Sequence, residues 1–257
     1  MTAIFFFVVV IIALALIFDF LNGFHDAANS IATVVVSKTL TPMQAVLMAG
    51  IANFLGYFIF GVTIANTIGK GIIDVKLITI SIVFAALIGA IIWNILTWIL
   101  GLPTSSSHAL IGSLIGSAIV AAGLKAIIAS GVLKVVLFIF IAPLVGMIGA
   151  VFFTLLINRI FFKSNYFKTN KVFKKMQLVS AAFYSIGHGT NDAQKTMGII
   201  ALVLFSAGMI DTFQVDEWVA LSCQAAISLG TIFGGWRIVK TLGTSITKIK
   251  AKEGFCA

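Results

Sequence analysis

Gly23-Phe24-His25-Asp26-Ala27-Ala28-Asn29 and Gly189-Thr190-Asn191-Asp192-Ala193-Gln194-Lys195 are two renderings of one polar sentence, each set inside an apolar stretch. Aligning Asp26 with Asp192 gives an offset of 166 (192 − 26). Ionisable side chains at membrane depth are costly and mark ion or substrate paths. A duplicated one points to two related halves built around a shared central site.

The composition places both copies in a membrane. Of the 257 residues, 60% are apolar and 10% charged, and the mean hydropathy is +1.15. A soluble domain of this size needs far more charge to cover its surface. The apolar runs recur along the whole length, which predicts an all-α polytopic membrane protein. The weaker alternating pattern of a β-barrel is absent from the sequence. The net charge of +9 comes from Lys and Arg clustered in a few loops, the pattern of the positive-inside rule and not of nucleic-acid binding. Cys223 and Cys256 are too few for a disulfide framework and lack metal-ligand spacing. The stretch from Met1 to Phe18 has no basic flank and no small-residue cleavage site, so it reads as a retained helix.

Outward from the first motif, the apolar stretch from Ala3 to Phe18 meets Asp19-Phe20-Leu21-Asn22-Gly23 and resumes at Ala27. Polar residues at that depth predict two half-helices with irregular backbone between them, lining a cavity. Further spans are expected over 43–68, 77–100 and 127–162, with a shorter one over 109–124 that crosses or is re-entrant. Lys163, Lys168, Lys171, Lys174 and Lys175 mark a cytoplasmic linker over 163–175. That divides the chain into a first transmembrane repeat (1–162) and a second (176–257). In the second, a broken span is expected to reach Gly208. An acidic loop with Asp211, Asp216 and Glu217 follows, then a crossing over 218–236.

The duplication extends beyond the Asp motifs. Leu55-Gly56 aligns with Leu229-Gly230, and Thr67-Ile68-Gly69 with Thr241-Leu242-Gly243, now at an offset of 174 (230 − 56). Five crossings before the linker would give the copies opposite orientation, an inverted-repeat secondary transporter with broken or re-entrant helices. The counterpart of Pro103 would fall at 277 (103 + 174), past residue 257. A functional full-length relative is therefore expected to continue with another Pro- and hydroxyl-rich segment, and the 257-residue chain alone to transport poorly.

Asp26 and Asp192 read as cation ligands, with helix capping or a buried polar pair as the alternative. Asn29 follows Asp26 by three residues, on the same face of a continuing helix. Lys195 takes the Asn29 position in the second copy, with Asn191 beside it, and a buried Lys needs an anion or a carboxylate. Pro103-Thr104-Ser105-Ser106-Ser107-His108 opens a helix with hydroxyls. Such an N-terminus attracts phosphate or sulfate, with routine capping as the alternative. His25, His108 and His188 are equally readable as proton carriers or as structural groups. A hydrolase built from Ser105, His108 and Asp26 lacks a Gly-x-Ser-x-Gly elbow, and one nucleophile does not require a duplicated Asp motif. No enzyme activity and no organic cofactor are expected.

These motifs resemble the signatures of the inorganic phosphate transporter (PiT) family. Gly23 to Thr33 is similar to its first signature, Gly189 to Lys195 to its second, and Gly101 to His108 to its Gly-x-Pro-x-Ser-x-Thr-His element, with Ser107 in place of Thr. The resemblance implies cation-coupled symport of inorganic phosphate across the cytoplasmic membrane, driven by Na⁺ or H⁺. It implies phosphate contacts from Thr104, Ser105, Ser106, Ser107, Asn191 and Lys195, and cation contacts, Na⁺ if sodium-coupled, from Asp26, Asn29 and Asp192. Many eukaryotic members carry an acidic residue where this chain has Asn66, so their coupling ion does not transfer. A sulfate permease and a passive anion channel remain alternatives. The implied partners are inorganic phosphate, the cation and the bilayer, with a homo-oligomer compatible. Coupling also has an energetic reason: moving one charge across about 100 mV costs about 2.3 kcal/mol, so importing divalent phosphate costs about 4.6 kcal/mol before any concentration term.

Overall fold

A computed structural model describes residues 2–61, 71–74, 77–241 and 250–256. Among them the helices are α1 (Thr2–Val36), α2 (Pro42–Phe60), α3 (Ile80–Leu100), α4 (Ser106–Ala122), α5 (Ala129–Ile160), α6 (Tyr166–Ser206), α7 (Glu217–Phe233), α8 (Trp236–Lys240) and α9 (Ala251–Cys256). Among the described residues four spans are long and apolar enough to cross a bilayer: 4–36, 42–59, 80–100 and 129–160. The expected span over 43–68 is helical to Phe60. Its remainder, with Asn66, Thr67, Ile68 and Gly69, lies outside the described residues, as do Lys70, Lys76, Leu242, Gly243 and Lys248.

Local chemistry sets the helix ends. Thr41 and Gln44 form a capping box at the start of α2, with Pro42 in the first turn. Thr79 caps α3 by accepting from the Ile82 amide. Gly101 ends α3 in the left-handed region at φ 68°, a conformation that costs glycine little. The chain then reverses into α4, which returns along α3. The far end of this hairpin is closed by the Asp74 amide donating to the Ala126 carbonyl (3.0 Å) and the Ile128 amide to the Ile72 carbonyl (2.9 Å). α4 is therefore the second arm of a hairpin; its 17 residues span about 25 Å, slightly less than a bilayer core.

Two expectations are corrected. First, neither Asp motif breaks its helix: α1 runs unbroken for 35 residues and α6 for 41. The polar side chains meet partners on facing helices, so the backbone keeps its own hydrogen bonds. Thr196 on α6 donates to Asp19 on α1 (2.9 Å), and Asn22 on α1 donates to Asp192 on α6 (3.4 Å). Second, most of the basic segment over 163–175 is not a loop. Asn165 accepts from the Phe167 and Lys168 amides as an N-cap, and the residues from Tyr166 onward form the first turns of α6.

The duplication reappears as paired packing. Gly23 of α1 lies against the Ile227 backbone of α7, and Gly189 of α6 against the Asn53 backbone of α2. These pairs match under the two sequence offsets (23 + 166 = 189; 53 + 174 = 227). Likewise Gly56 faces Ile186 and Thr190, whereas Gly230 faces Phe20 and Phe24 (56 + 174 = 230; 20 + 166 = 186; 24 + 166 = 190). A Cβ at Gly189 would stand 2.6 Å from the Asn53 carbonyl oxygen, so these helices approach through glycine only. The contacts 19–196, 22–192 and 26–188 run in opposite directions along α1 and α6, so the helices are antiparallel. The repeat is inverted.

The largest core joins α1, α3, α4, α6 and α7 through Phe18, Leu87, Leu110, Met197 and Ile227. α5 stands apart: it is exposed along nearly its whole length, with Ile157 buried near its end.

Candidate functional site

Both Asp motifs meet at the antiparallel crossing of α1 and α6, and the N-terminus of α4 reaches the same point. Asp26 is 7% exposed. Its Oδ1 lies 3.3 Å from His25 Nδ1, and its Oδ2 accepts from Ser106 Oγ at 3.5 Å. His188 Nε2 lies between the two carboxylates, 3.8 Å from Asp26 Oδ2 and 3.5 Å from Asp192 Oδ2. Asp192 also receives the Asn22 amide and the Lys195 ammonium. Lys195 donates in addition to Ser107.

One ligand atom each from Asp26, His188 and Asp192 can be chosen within 4.8 Å of one another. Two carboxylates so placed repel unless positive charge lies between or beside them. Lys195 supplies one such charge on the Asp192 side. The space bounded by Asp26, His188 and Asp192 suits a cation held by carboxylate oxygens.

The hydroxyls at the α4 mouth divide into separate tasks. Ser105 accepts from the His108 amide at 3.3 Å and caps the helix. Ser106 is fully buried and binds Asp26. Ser107 binds Lys195. Thr104 Oγ1 donates to Thr97 Oγ1 (3.2 Å) and lies 3.4 Å from His25 Nε2. The turn carrying them is pinned from α8: Arg237 donates to the Ile99 carbonyl (2.8 Å) and stacks over Trp98, and Thr241 donates to the Gly101 carbonyl (3.0 Å). A cavity of about 270 Å³ opens beside this turn, lined by His25, Asp26, Asn29, Thr104 and Ser105 among others.

Of the residues singled out from sequence, Asp26, Asp192, Lys195, Ser106 and Ser107 converge. Thr104 and Ser105 line the adjoining cavity. Asn29 is exposed at its rim and does not join the carboxylates. Asn191 and His108 are exposed and lie outside the convergence. Sequence reasoning missed Asn22 as a partner of Asp192 and left His188 undecided. The repeat held the signal, because 22 + 166 = 188 and both stand four residues before their Asp, on the same helical face. Thr97, 3.3 Å from His25, carried no such signal.

Comparison with known proteins places the chain among transporters. The model of a family described as "Phosphate transporter family" matches residues 22–257. A "Probable low-affinity inorganic phosphate transporter" of Rhizobium meliloti (strain 1021) is 51% identical over 248 residues, covering 96% of this chain and 74% of that protein. A protein of the same description from Mycobacterium bovis is 44% identical, covering 98% and 61%, and one from Bacillus subtilis (strain 168) is 42% identical, covering 97% and 75%. The chain thus spans about three-fifths to three-quarters of these relatives. A solved structure titled "The sodium-dependent phosphate transporter" superposes with a TM-score of 0.86 at 24% identity, covering 97% of this chain and 81% of that one, which shows a shared fold.

Proposed function

We infer function from one premise: the chain belongs to the phosphate transporter family. It is a multi-pass membrane protein, and its family consists of transporters and not enzymes. The proposed activity is cation-coupled symport of inorganic phosphate across the cell membrane, with Na⁺ or H⁺ as the driving ion. The observation that carries this reading is Lys195, which bridges Asp192 and Ser107 and so links the carboxylate pair to the mouth of α4.

The linkage suggests how coupling works. Phosphate arriving at Ser106 and Ser107 meets the free amides and positive dipole end of α4. Lys195 turns toward the anion and leaves Asp192 without its counter-charge. A cation between Asp26 and Asp192 then becomes favourable, and by reciprocity a bound cation frees Lys195 for phosphate. The cations carried inward offset the electrical cost of the anion. Cation contacts are assigned to Asp26 and Asp192, with Asn29 at the entrance. Phosphate contacts are assigned to Ser106, Ser107 and Lys195, with Thr104 and Ser105 lining the approach.

Uptake of radiolabelled phosphate into proteoliposomes under separate Na⁺ and H⁺ gradients tests this. It is run on the 257-residue chain. Gradient-dependent uptake that excess sulfate does not suppress is expected. Gradient-independent flux would replace the symporter with a channel, and stronger competition by sulfate would replace the substrate.

A further inference from the structure

Where α5 ends and α6 begins lies a second cavity, of about 350 Å³, with α9 on its third side. We propose that this cavity holds the phosphate headgroup of an anionic phospholipid. The inference is independent of the transport reading.

Three observations support it. The cavity is rich in donors: Asn158, Asn170, Lys250 and Lys252 all line it, and Lys252 donates to Asn158 at 2.8 Å. That bond fixes an ammonium group at the wall, so its position does not depend on a free surface side chain. The surroundings are positive as well. Arg159, Lys163, Lys168 and Lys171 flank the junction, and no acidic residue occurs between Asp74 and Asp192 in the sequence. Glu253 is the opposing charge on the rim, and it is exposed.

The depth is that of a headgroup. α5 is apolar over a full bilayer thickness, and Phe161-Phe162-Lys163 follows it directly. Basic pockets at the polar ends of membrane helices attract anionic lipid through charge and hydrogen bonding together. The cavity also has an apolar side, which a free anion would not need. Phe173 is buried beneath it against Phe161 (ring centroids 5.1 Å apart) and Phe255 (5.9 Å). Phe162, 84% exposed, flanks the opening next to the bare outer surface of α5, where an acyl chain can lie. A lipid seated here would tie the end of the first repeat to the start of the second.

The test is native mass spectrometry of the detergent-purified chain titrated with phosphatidylglycerol, phosphatidylcholine or inorganic phosphate. Phosphatidylglycerol should be retained at least about tenfold more strongly than phosphatidylcholine. The Lys250→Gln/Lys252→Gln pair should lose about 30-fold in affinity for it. The Lys250→Arg/Lys252→Arg pair should stay within about threefold of the original chain, since charge and donors persist. Millimolar inorganic phosphate should not displace the lipid. Equal retention of the two lipids, a glutamine variant that binds normally, or an arginine variant that binds weakly would each overturn the proposal. Displacement by inorganic phosphate would assign the cavity to the free anion instead. Helix content by circular dichroism checks each variant, and if the glutamine pair unfolds, the arginine pair and the two-lipid comparison still decide.

Discussion

Asp26 and Asp192 occupy equivalent places in an inverted repeat, yet their surroundings differ. Asp26 is held by His25, His188 and Ser106, with no Lys or Arg in an ion pair with it among the described residues. Asp192 holds Lys195, which in turn reaches Ser107. The position equivalent to Lys195 is Asn29 (29 + 166 = 195), and Asn29 turns outward to the rim. Duplication preserved the backbone frame down to individual glycine contacts. Around that frame the side chains diverge, and at 29/195 the divergence changes the charge. Asp26 faces two histidines and a hydroxyl, whereas Asp192 is engaged by a lysine.

The strongest way to break this comparison is to neutralise each carboxylate in turn. Asp192→Asn strands Lys195, and Asp26→Asn removes the negative charge that faces His25, His188 and Ser106. Each should lower gradient-driven uptake at least about 100-fold, as expected when one partner of a buried polar cluster is lost at a cost of about 3–5 kcal/mol. Membrane insertion should persist in both. Near-normal uptake in both variants would remove the carboxylates from the mechanism.

Making the second copy resemble the first is a sharper intervention. Lys195→Asn should weaken equilibrium phosphate binding about 10- to 100-fold, because a charged donor is worth about 1.5–3 kcal/mol. Unchanged affinity would mean that Lys195 only neutralises Asp192.

The shared frame can be tested separately from the charges. Gly23→Ala and Gly189→Ala each push a methyl into a facing backbone and should destabilise the protein by about 1–3 kcal/mol. Gly187→Ala, with open space around it, should change stability by less than about 0.5 kcal/mol. Thermal unfolding in detergent reads all three. A large difference between Gly23→Ala and Gly189→Ala would show that the two crossings are not equivalent.

The smallest effect separates the serines. Ser105→Ala should cost about 1 kcal/mol of stability through its lost cap, with phosphate affinity little changed. Ser107→Ala should do the reverse. Matching phenotypes would erase the division of tasks at the α4 mouth.

The frame was readable before any coordinates because it is periodic. The offsets of 166 and 174 relate Gly23 to Gly189 and Gly56 to Gly230, and each pair packs as its counterpart does. The helix-breaking expectation failed for a physical reason. A polar residue at membrane depth needs partners, but sequence does not say whether they come from an unwound backbone or from a neighbouring helix. Thr196 and Asn22 supply them here. Asn29 stands at the rim and Lys195, at the same spacing of three, reaches back to Asp192, because the advance of about 4.5 Å along the axis is one that a long side chain spans and a short one does not. Thr97 was invisible because its relation to His25 spans 72 residues and exists only once α1 and α3 have packed.

The proposed coupling is a reciprocity between cation and phosphate through Lys195. Its most direct test is equilibrium phosphate binding measured across a titration of the coupling cation, in the original chain and in Lys195→Gln. Phosphate affinity should rise with cation in the original chain, and that dependence should vanish in the variant. Phosphate affinity independent of cation, or an undiminished dependence in Lys195→Gln, would contradict it.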